Sequence, residues 1–185
     1  SSIKFNNINV YAFEPSTSNL GILTRNISLN HLSEKIIVNQ IPLTDKENQY
    51  LMMRENNFIE GGALNSFGVM FDSEGKKFEG NNNYKLYGTS INYLIRNKIL
   101  EIPDYIKIDV DGIEHLILRG GKDYLKDKKI KSILIELNEN FKEQYSEALK
   151  ILEQSNFVLK HKKHSKMFAG SGKFSKTYNF LFEKN

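Results

Sequence analysis

The sequence has no cysteine among its 185 residues. Disulfide bonds and thiolate metal sites are therefore excluded, and this absence fits a reducing compartment. The sequence also lacks long apolar runs, since no segment approaches the roughly 18 apolar residues that a membrane helix requires. No charged start followed by an apolar stretch indicates a signal peptide. We therefore expect a soluble, cytoplasmic protein with no membrane partner.

Arginine is scarce as well. The 26 basic residues give a formal net charge of +4, but they include only the arginines Arg25, Arg54, Arg96 and Arg119. Bidentate contacts to phosphates and bases are made mainly by arginine, so a nucleic-acid partner is disfavoured. The sequence gives no indication of the oligomeric state.

The length and amino-acid composition of the chain are typical of one globular domain over residues 1–185. With 39% hydrophobic and 26% charged residues, the chain can bury a sizeable core. Two full domains would be cramped at this length. We find no internal repeat.

The most informative stretch runs from Tyr105 to Gly121. The apolar run Ile106 to Val110 predicts a strand, and Asp111-Gly112 predicts a turn after it. Apolar residues at helical spacing then begin at Ile113, and Gly120-Gly121 can supply the left-handed residue that ends a helix. The pattern therefore predicts a strand, a tight turn and a helix.

Several acidic residues lie where the predicted strand–turn–helix unit would contact a ligand. Asp109, Asp111 and Glu114 follow the predicted strand, and Glu136 lies near the end of another predicted strand, Ser132 to Leu137. In open α/β sheets, ligands bind at the carboxyl ends of the strands. Like charges in close quarters repel, so such clusters persist mainly where a cation, a proton transfer or a ligand hydroxyl uses them.

A further acid stands at the first predicted strand, Asn9 to Phe13. Glu14 lies between this strand and a helix for which Ser16 is a plausible N-cap, while Pro15 stops the strand. Two interpretations stay open for Glu14. It is either the ribose-binding acid of a nucleotide-type α/β domain or a capping acid at the helix start.

The other predicted elements complete an α/β chain. A weakly patterned segment over residues 54–83 is interpreted as a substrate-side loop. Two C-terminal strands with no helical pattern between them predict an antiparallel hairpin. The remaining predicted elements are strands at Ile36–Asn39 and Tyr50–Met53, a strand at Tyr84–Tyr87, a helix capped by Thr89, a helix after Asn138, and the hairpin strands Phe157–Lys160 and Tyr178–Phe182.

Five segments in this order resemble the FkbM-type methyltransferases. They are VYAFEPS at Val10–Ser16, QIPLTD at Gln40–Asp45, TSINYLI at Thr89–Ile95, IKIDVDGIEHLILRG at Ile106–Gly120 and ILIEL at Ile133–Leu137. The resemblance covers nearly the whole chain. It implies an enzyme that uses S-adenosylmethionine (SAM) to methylate a hydroxyl group of a carbohydrate or related small molecule.

The resemblance also implies roles for particular residues. Glu14 would hold the ribose hydroxyls of SAM, with Pro15 and Ser16 beside it, Gln40-Ile41 would lie against the adenine, and Asp109 would lie near the reacting methyl. Because an acceptor hydroxyl must lose its proton, the chemistry itself also calls for a base or a metal, and we expect Asp111 or Glu136 to serve as general base or as ligand to a hard cation such as Mg²⁺. No metal ligands are assigned, and metal dependence stays open. The predicted substrate-side residues are Asn65, Ser66, Glu114 and His115; as alternatives, Glu114 sits favourably in a helix first turn and His115 on a helix surface.

The fold implied is a Rossmann-like class I methyltransferase sheet, mostly parallel, with the antiparallel hairpin at its C-terminal end. Such sheets begin with a strand and a Gly-rich turn that would precede Ile8, and the sequence shows neither. We expect one of two outcomes: the chain is N-terminally incomplete, or the strands ending at Glu14 and Asp109 close up on each other.

Two other functions stay open. The chain could be a non-catalytic or interaction domain that has lost cofactor binding. A nicotinamide-dependent enzyme would also use Glu14 as a ribose binder, but it does not account for the KIDVDG turn.

Overall fold

The computed structural model describes residues 8–164, residue 172 and residues 174–184. The loop of the predicted C-terminal hairpin lies largely outside these residues. In the described part of the chain, no helix is both long and apolar enough to cross a membrane. The elements are β1 (Val10–Phe13), α1 (Thr17–Leu29), β2 (Ile36–Asn39), β3 (Gln49–Glu55), β4 (Ser66–Phe67), β5 (Asn82–Gly88), α2 (Ile91–Arg96), β6 (Tyr105–Ile108), α3 (Glu114–Gly121), β7 (Ser132–Asn138), α4 (Lys142–Gln154), β8 (Phe157–His164) and β9 (Thr177–Lys184).

The strands form three hydrogen-bonded groups, in the orders β1-β2, β4-β3-β5 and β6-β7-β9-β8. β1 pairs with β2, and β6 with β7, in parallel; the pairs that involve β3 or β9 are antiparallel. The α/β class and the C-terminal antiparallel hairpin are confirmed. A single, mostly parallel sheet is not evident. Parallel pairing needs a crossover connection, usually a helix, and among the described residues no helix links β3 to β4 or β5.

The strands that lead into Glu14 and Asp109 do not close up on each other. Among the described residues, β1 pairs only with β2 and β6 only with β7. Of the two expected outcomes for a chain without an intervening strand, the closed arrangement is therefore not observed. The hydrogen-bonding edges of β1 and β6 that point away from these partners carry no described strand.

The core lies between the β6-β7-β9-β8 sheet and the helices α3 and α4. Alternate residues of β7 point into it, so that Ile133, Ile135 and Leu137 are at most 1% exposed. Leu118 of α3 and Leu152 of α4 are buried to the same degree. Full burial of each such side chain stabilises the fold by about 1.5–3 kcal/mol. This packing fixes β6 and β7, whose ends carry the acids.

The helix ends agree only in part with the sequence pattern. Ser16 is the N-cap of α1, and its side chain accepts a hydrogen bond from the Asn19 backbone N–H. Gly120-Gly121 was expected to end α3 with a left-handed residue, but both glycines lie within the helix and neither has a positive φ. Glycine is needed at position 120 because the backbone of Thr44 packs closely against the helix there. A Cβ on residue 120 would overlap the Thr44 carbonyl oxygen.

Candidate active site

Acidic side chains from three strand ends lie within electrostatic reach of one another. Glu14 follows β1, Asp109 and Asp111 follow β6, and Glu136 belongs to β7. Burial raises the pKa of Glu14, and the charge of Asp111 raises it further. Burial, and then the charges of Asp109 and Asp111, raise the pKa of Glu136. The fold therefore gathers at one edge the four acids that the sequence had placed at strand ends.

Glu14 is held between β1 and the start of α1. Its Oε1 accepts a hydrogen bond of 2.9 Å from the Ser16 backbone N–H, and the Asn19 side chain also donates to the carboxylate. This geometry is that of an acid at a helix start. The carboxylate is only partly buried and has further acceptor capacity, so it can also accept ligand hydroxyls. The capping contact of Glu14 is thus observed, and its role as a ribose-binding acid stays a prediction.

The loop after β2 presents the residues predicted to lie beside an adenine ring. Gln40 is exposed, and Ile41 is half-buried, as is Pro15. The loop is fixed from behind by Arg119 of α3, which donates to Asp45 Oδ2 at 2.7 Å. Arg119 also donates to both carboxylate oxygens of Glu147 in α4, at 2.8 and 2.6 Å. One guanidinium therefore connects the loop to two core helices.

The two aspartates in the turn after β6 have different contacts. Asp109 pairs with Lys107 of β6 and is about half exposed. The Asp111 carboxylate accepts a 2.8 Å hydrogen bond from the Asn65 backbone N–H and another from that of Leu64. Burial nevertheless raises the pKa of Asp111 overall. Asp111 therefore anchors the loop that the sequence assigned to the substrate side.

Gly112 allows a second loop to approach the same turn. Its φ of +109° is a conformation that side chains with a Cβ rarely adopt. A Cβ at this position would lie 2.9 Å from the Asp72 carbonyl oxygen. Residues 72–73 therefore pack directly on the turn, and Ser73 accepts a hydrogen bond from the Asn138 side chain at the end of β7. The site is covered from this direction.

Three of the predicted substrate-side residues lie in the interior. Ser66, Glu114 and His115 are each 2% exposed. Ser66 donates to the Phe71 carbonyl, and Glu114 accepts a 2.6 Å hydrogen bond from Gln144. The His115 ring packs between Phe71 and Phe141, and burial lowers its pKa. Of this set, Asn65 is the residue that the structure brings to the site, through its backbone contact with Asp111.

Glu55 is an acid that the sequence prediction missed. It ends β3, is 1% exposed, and its Oε1 accepts a 2.8 Å hydrogen bond from the Tyr84 hydroxyl. Its charge contributes to raising the pKa of Glu14, so it belongs to the same neighbourhood. The signal that could have found it is the one that pointed to Glu136, an acid at the end of an apolar strand.

The acids do not form a ligand set for a metal. Among the residues that the structure describes, no group of three His, Asp or Glu side chains is arranged to hold a metal ion. Their carboxylates share an electrostatic neighbourhood while each is held by its own partners.

The chain was compared with models of known protein families, with curated proteins and with solved structures. The model of the methyltransferase FkbM domain matches residues 4–159. No curated protein matches the chain. A solved structure of methyltransferase FkbM from Methylobacillus flagellatus KT is similar, with a TM-score of 0.57 and 16% identity. The match covers 95% of this chain and 36% of that chain, so this chain spans about a third of its neighbour. At this identity the likeness supports the fold alone, whereas the family match extends over most of the chain: it belongs to the FkbM methyltransferase domain family.

Proposed function

We propose that the protein is a SAM-dependent O-methyltransferase that acts on a hydroxyl group of a carbohydrate or related small molecule. One observation supports the proposal best: the carboxylates of Glu14, Asp109, Asp111 and Glu136 lie near one another at the ends of the strands, in a chain of this family. Carboxylates at the ends of strands are suited to hold ligand hydroxyls and to accept protons.

The residues around Glu14 fit the nucleoside part of SAM. A partly buried carboxylate that already accepts a backbone N–H can accept ribose hydroxyls with its remaining lone pairs. Pro15 and Ser16 fix the chain direction beside it, and Gln40 and Ile41 offer a polar and an apolar contact to a base. When bound, SAM supplies an electrophilic methyl group for transfer.

The acceptor hydroxyl must lose its proton to become a good nucleophile. Asp111 already accepts two backbone N–H groups, whereas Glu136 has a single long contact of 3.5 Å from the Asn179 amide. Glu136 is therefore the better placed general base, and its raised pKa makes it a stronger proton acceptor. Glu136 would take the proton of the acceptor hydroxyl as its oxygen receives the methyl group that SAM would supply. Asp109 would orient the reacting groups.

Titration calorimetry with SAM tests the cofactor assignment. Charge-assisted hydrogen bonds to a ligand contribute about 1.5–3 kcal/mol, so Glu14→Gln is expected to weaken SAM binding roughly 10- to 100-fold. Glu34→Gln, which changes an exposed acid before the start of β2 and so not at the carboxyl end of a strand, is the matched control and is expected to bind as the wild type does. Equal affinities for the two variants would contradict the role of Glu14.

Mass spectrometry of a glycan panel incubated with protein and SAM tests the chemistry. Glu136→Gln is expected to slow transfer by about 10²- to 10⁴-fold, the usual contribution of a general base, while SAM affinity is retained. Transfer at the wild-type rate by Glu136→Gln would rule out this base.

A second candidate is a non-catalytic interaction domain without cofactor binding. One observation favours it: the outer edges of β1 and β6 carry no described strand, although the predicted cofactor site lies at the ends of these two strands. Failure of the wild-type protein to bind SAM in the calorimeter would support this candidate over the enzyme.

A further inference from the structure

An open cleft lies beside the start of α1. Its volume is about 510 Å³. Its lining combines two aromatic rings with hydroxyl and amide groups and contains no charged side chain: Thr17, Phe58, Asn81, Asn82, Asn83 and Tyr84. A cleft with this lining offers nothing to neutralise an anionic ligand, and it has many groups that pair with hydroxyls.

Phe58 supplies an exposed aromatic ring in the cleft. Its side chain is 64% exposed, so most of the ring surface is available to a ligand. Its ring centroid lies 6.4 Å from that of Tyr84, with 49° between the ring planes. An exposed ring next to three amides complements a molecule that has an apolar C–H face and a rim of hydroxyls. A sugar ring has this combination.

A buried oxygen atom behind the cleft wall, Glu55 Oε2, has no hydrogen-bond partner in the described part of the chain. The other Glu55 oxygen accepts from the Tyr84 hydroxyl, and Thr17 also hydrogen-bonds to that hydroxyl, so Glu55 is held against the lining of the cleft. Buried acceptors are nearly always satisfied. A donor such as a ligand hydroxyl would complement this oxygen.

We propose that this cleft binds a neutral sugar ring, and that, granted the methyltransferase function proposed above, it is the acceptor side of the active site. The position of the cleft supports the second part. The cleft borders the first turn of α1, which begins three residues after Glu14, and the charges of Glu55 and Asp111 both act on Glu14. A sugar in the cleft therefore lies at the edge of the site that Glu14 shares with Asp111.

Sugar binding is tested without SAM and without any activity assay. Ligand-observed NMR titrations use the neutral methyl glycosides of glucose, galactose, mannose and N-acetylglucosamine, with methyl glucuronide as the anionic comparison. We expect at least one neutral glycoside to bind with a Kd of roughly 1–10 mM and the glucuronide to bind more weakly. Loss of the exposed ring in Phe58→Ala is expected to reduce affinity at least about fivefold.

Ile59→Ala is the matched control, because Ile59 is the neighbouring exposed apolar residue, at 59%, and does not line the cleft. Asn81→Ala, at the other side of the cleft, is expected to weaken binding as Phe58→Ala does. The proposal is overturned if no neutral glycoside binds, if Phe58→Ala and Ile59→Ala bind alike, or if the glucuronide is preferred.

A cofactor titration separates this site from the nucleoside site. Phe58→Ala is expected to bind SAM as the wild type does; a comparable loss of SAM affinity would assign the cleft to the cofactor and overturn the proposal. Glycoside binding without methyl transfer would leave the sugar site standing and refute the proposed activity instead.

Discussion

Replacement of Glu114 by glutamine should change how stability depends on pH. The Glu114 side chain is 2% exposed and accepts its shortest hydrogen bond, 2.6 Å, from Gln144. Burial raises its pKa well above the ordinary value of 4.5. Above about pH 4.5 the unfolded chain loses this proton while the folded chain keeps it, so the unfolded state binds fewer protons and the free energy of unfolding falls as pH rises.

The size of the effect follows from linkage. Each pH unit between the unfolded and folded pKa values removes about 1.4 kcal/mol of stability. Between pH 5 and pH 7 the loss is at most about 2.5 kcal/mol, reached when folded Glu114 stays protonated over the whole interval. Glu114→Gln carries no titrating group, so this part of the pH dependence should disappear. The variant can still accept the hydrogen bond from Gln144, and a small constant offset in stability does not affect the comparison.

Urea unfolding at pH 5, 6 and 7 measures the slope for wild type, Glu114→Gln and the control Glu143→Gln. Glu143 lies on the adjacent helix and is exposed, so its variant should keep the wild-type slope. Curves for wild type and Glu114→Gln that run parallel across this interval would refute the inference that burial holds a proton on Glu114.

Three further substitutions probe the packing around the site by urea unfolding. Gly120→Ala should destabilise the protein by about 2 kcal/mol or more, because its Cβ would overlap the Thr44 carbonyl, and a wild-type midpoint would show that this contact is loose. Gly21→Ala should stabilise by about 0.5–1 kcal/mol, since Gly21 is inside α1 with no atom within 4 Å of a new Cβ; a lower midpoint would contradict this. Arg119→Ala should cost about 1–2 kcal/mol, and Arg119→Lys should recover only part of it because lysine cannot bind Glu147 in bidentate fashion.

The strand, turn and helix around Asp111 could be predicted because each depends on neighbours in the sequence. The apolar run, the Asp-Gly pair and the helical spacing are local patterns, and β6 and α3 lie where they indicated. The acids at the strand ends also followed from local order, since the carboxyl end of a strand is known once the strand is placed.

The interior position of His115 could not be predicted in the same way. The sequence predicted a substrate-side histidine or a histidine on a helix surface, but Phe71 and Phe141, from two distant segments, enclose the ring. The same holds for Glu55, whose partner Tyr84 is 29 residues away. The burial of these residues depends on which loops pack over which strand ends. Helical or strand periodicity in the sequence does not indicate how the loops pack.

The pairing of β1 with β2 alone has a consequence for motion. Within the described residues, these two strands exchange backbone hydrogen bonds with no other strand, so they can open without breaking the β6-β7-β9-β8 ladder. Amide protons of β1 should therefore take up deuterium sooner than those of β7. Since Glu14 directly follows β1, a molecule bound at this carboxylate should slow the uptake there first.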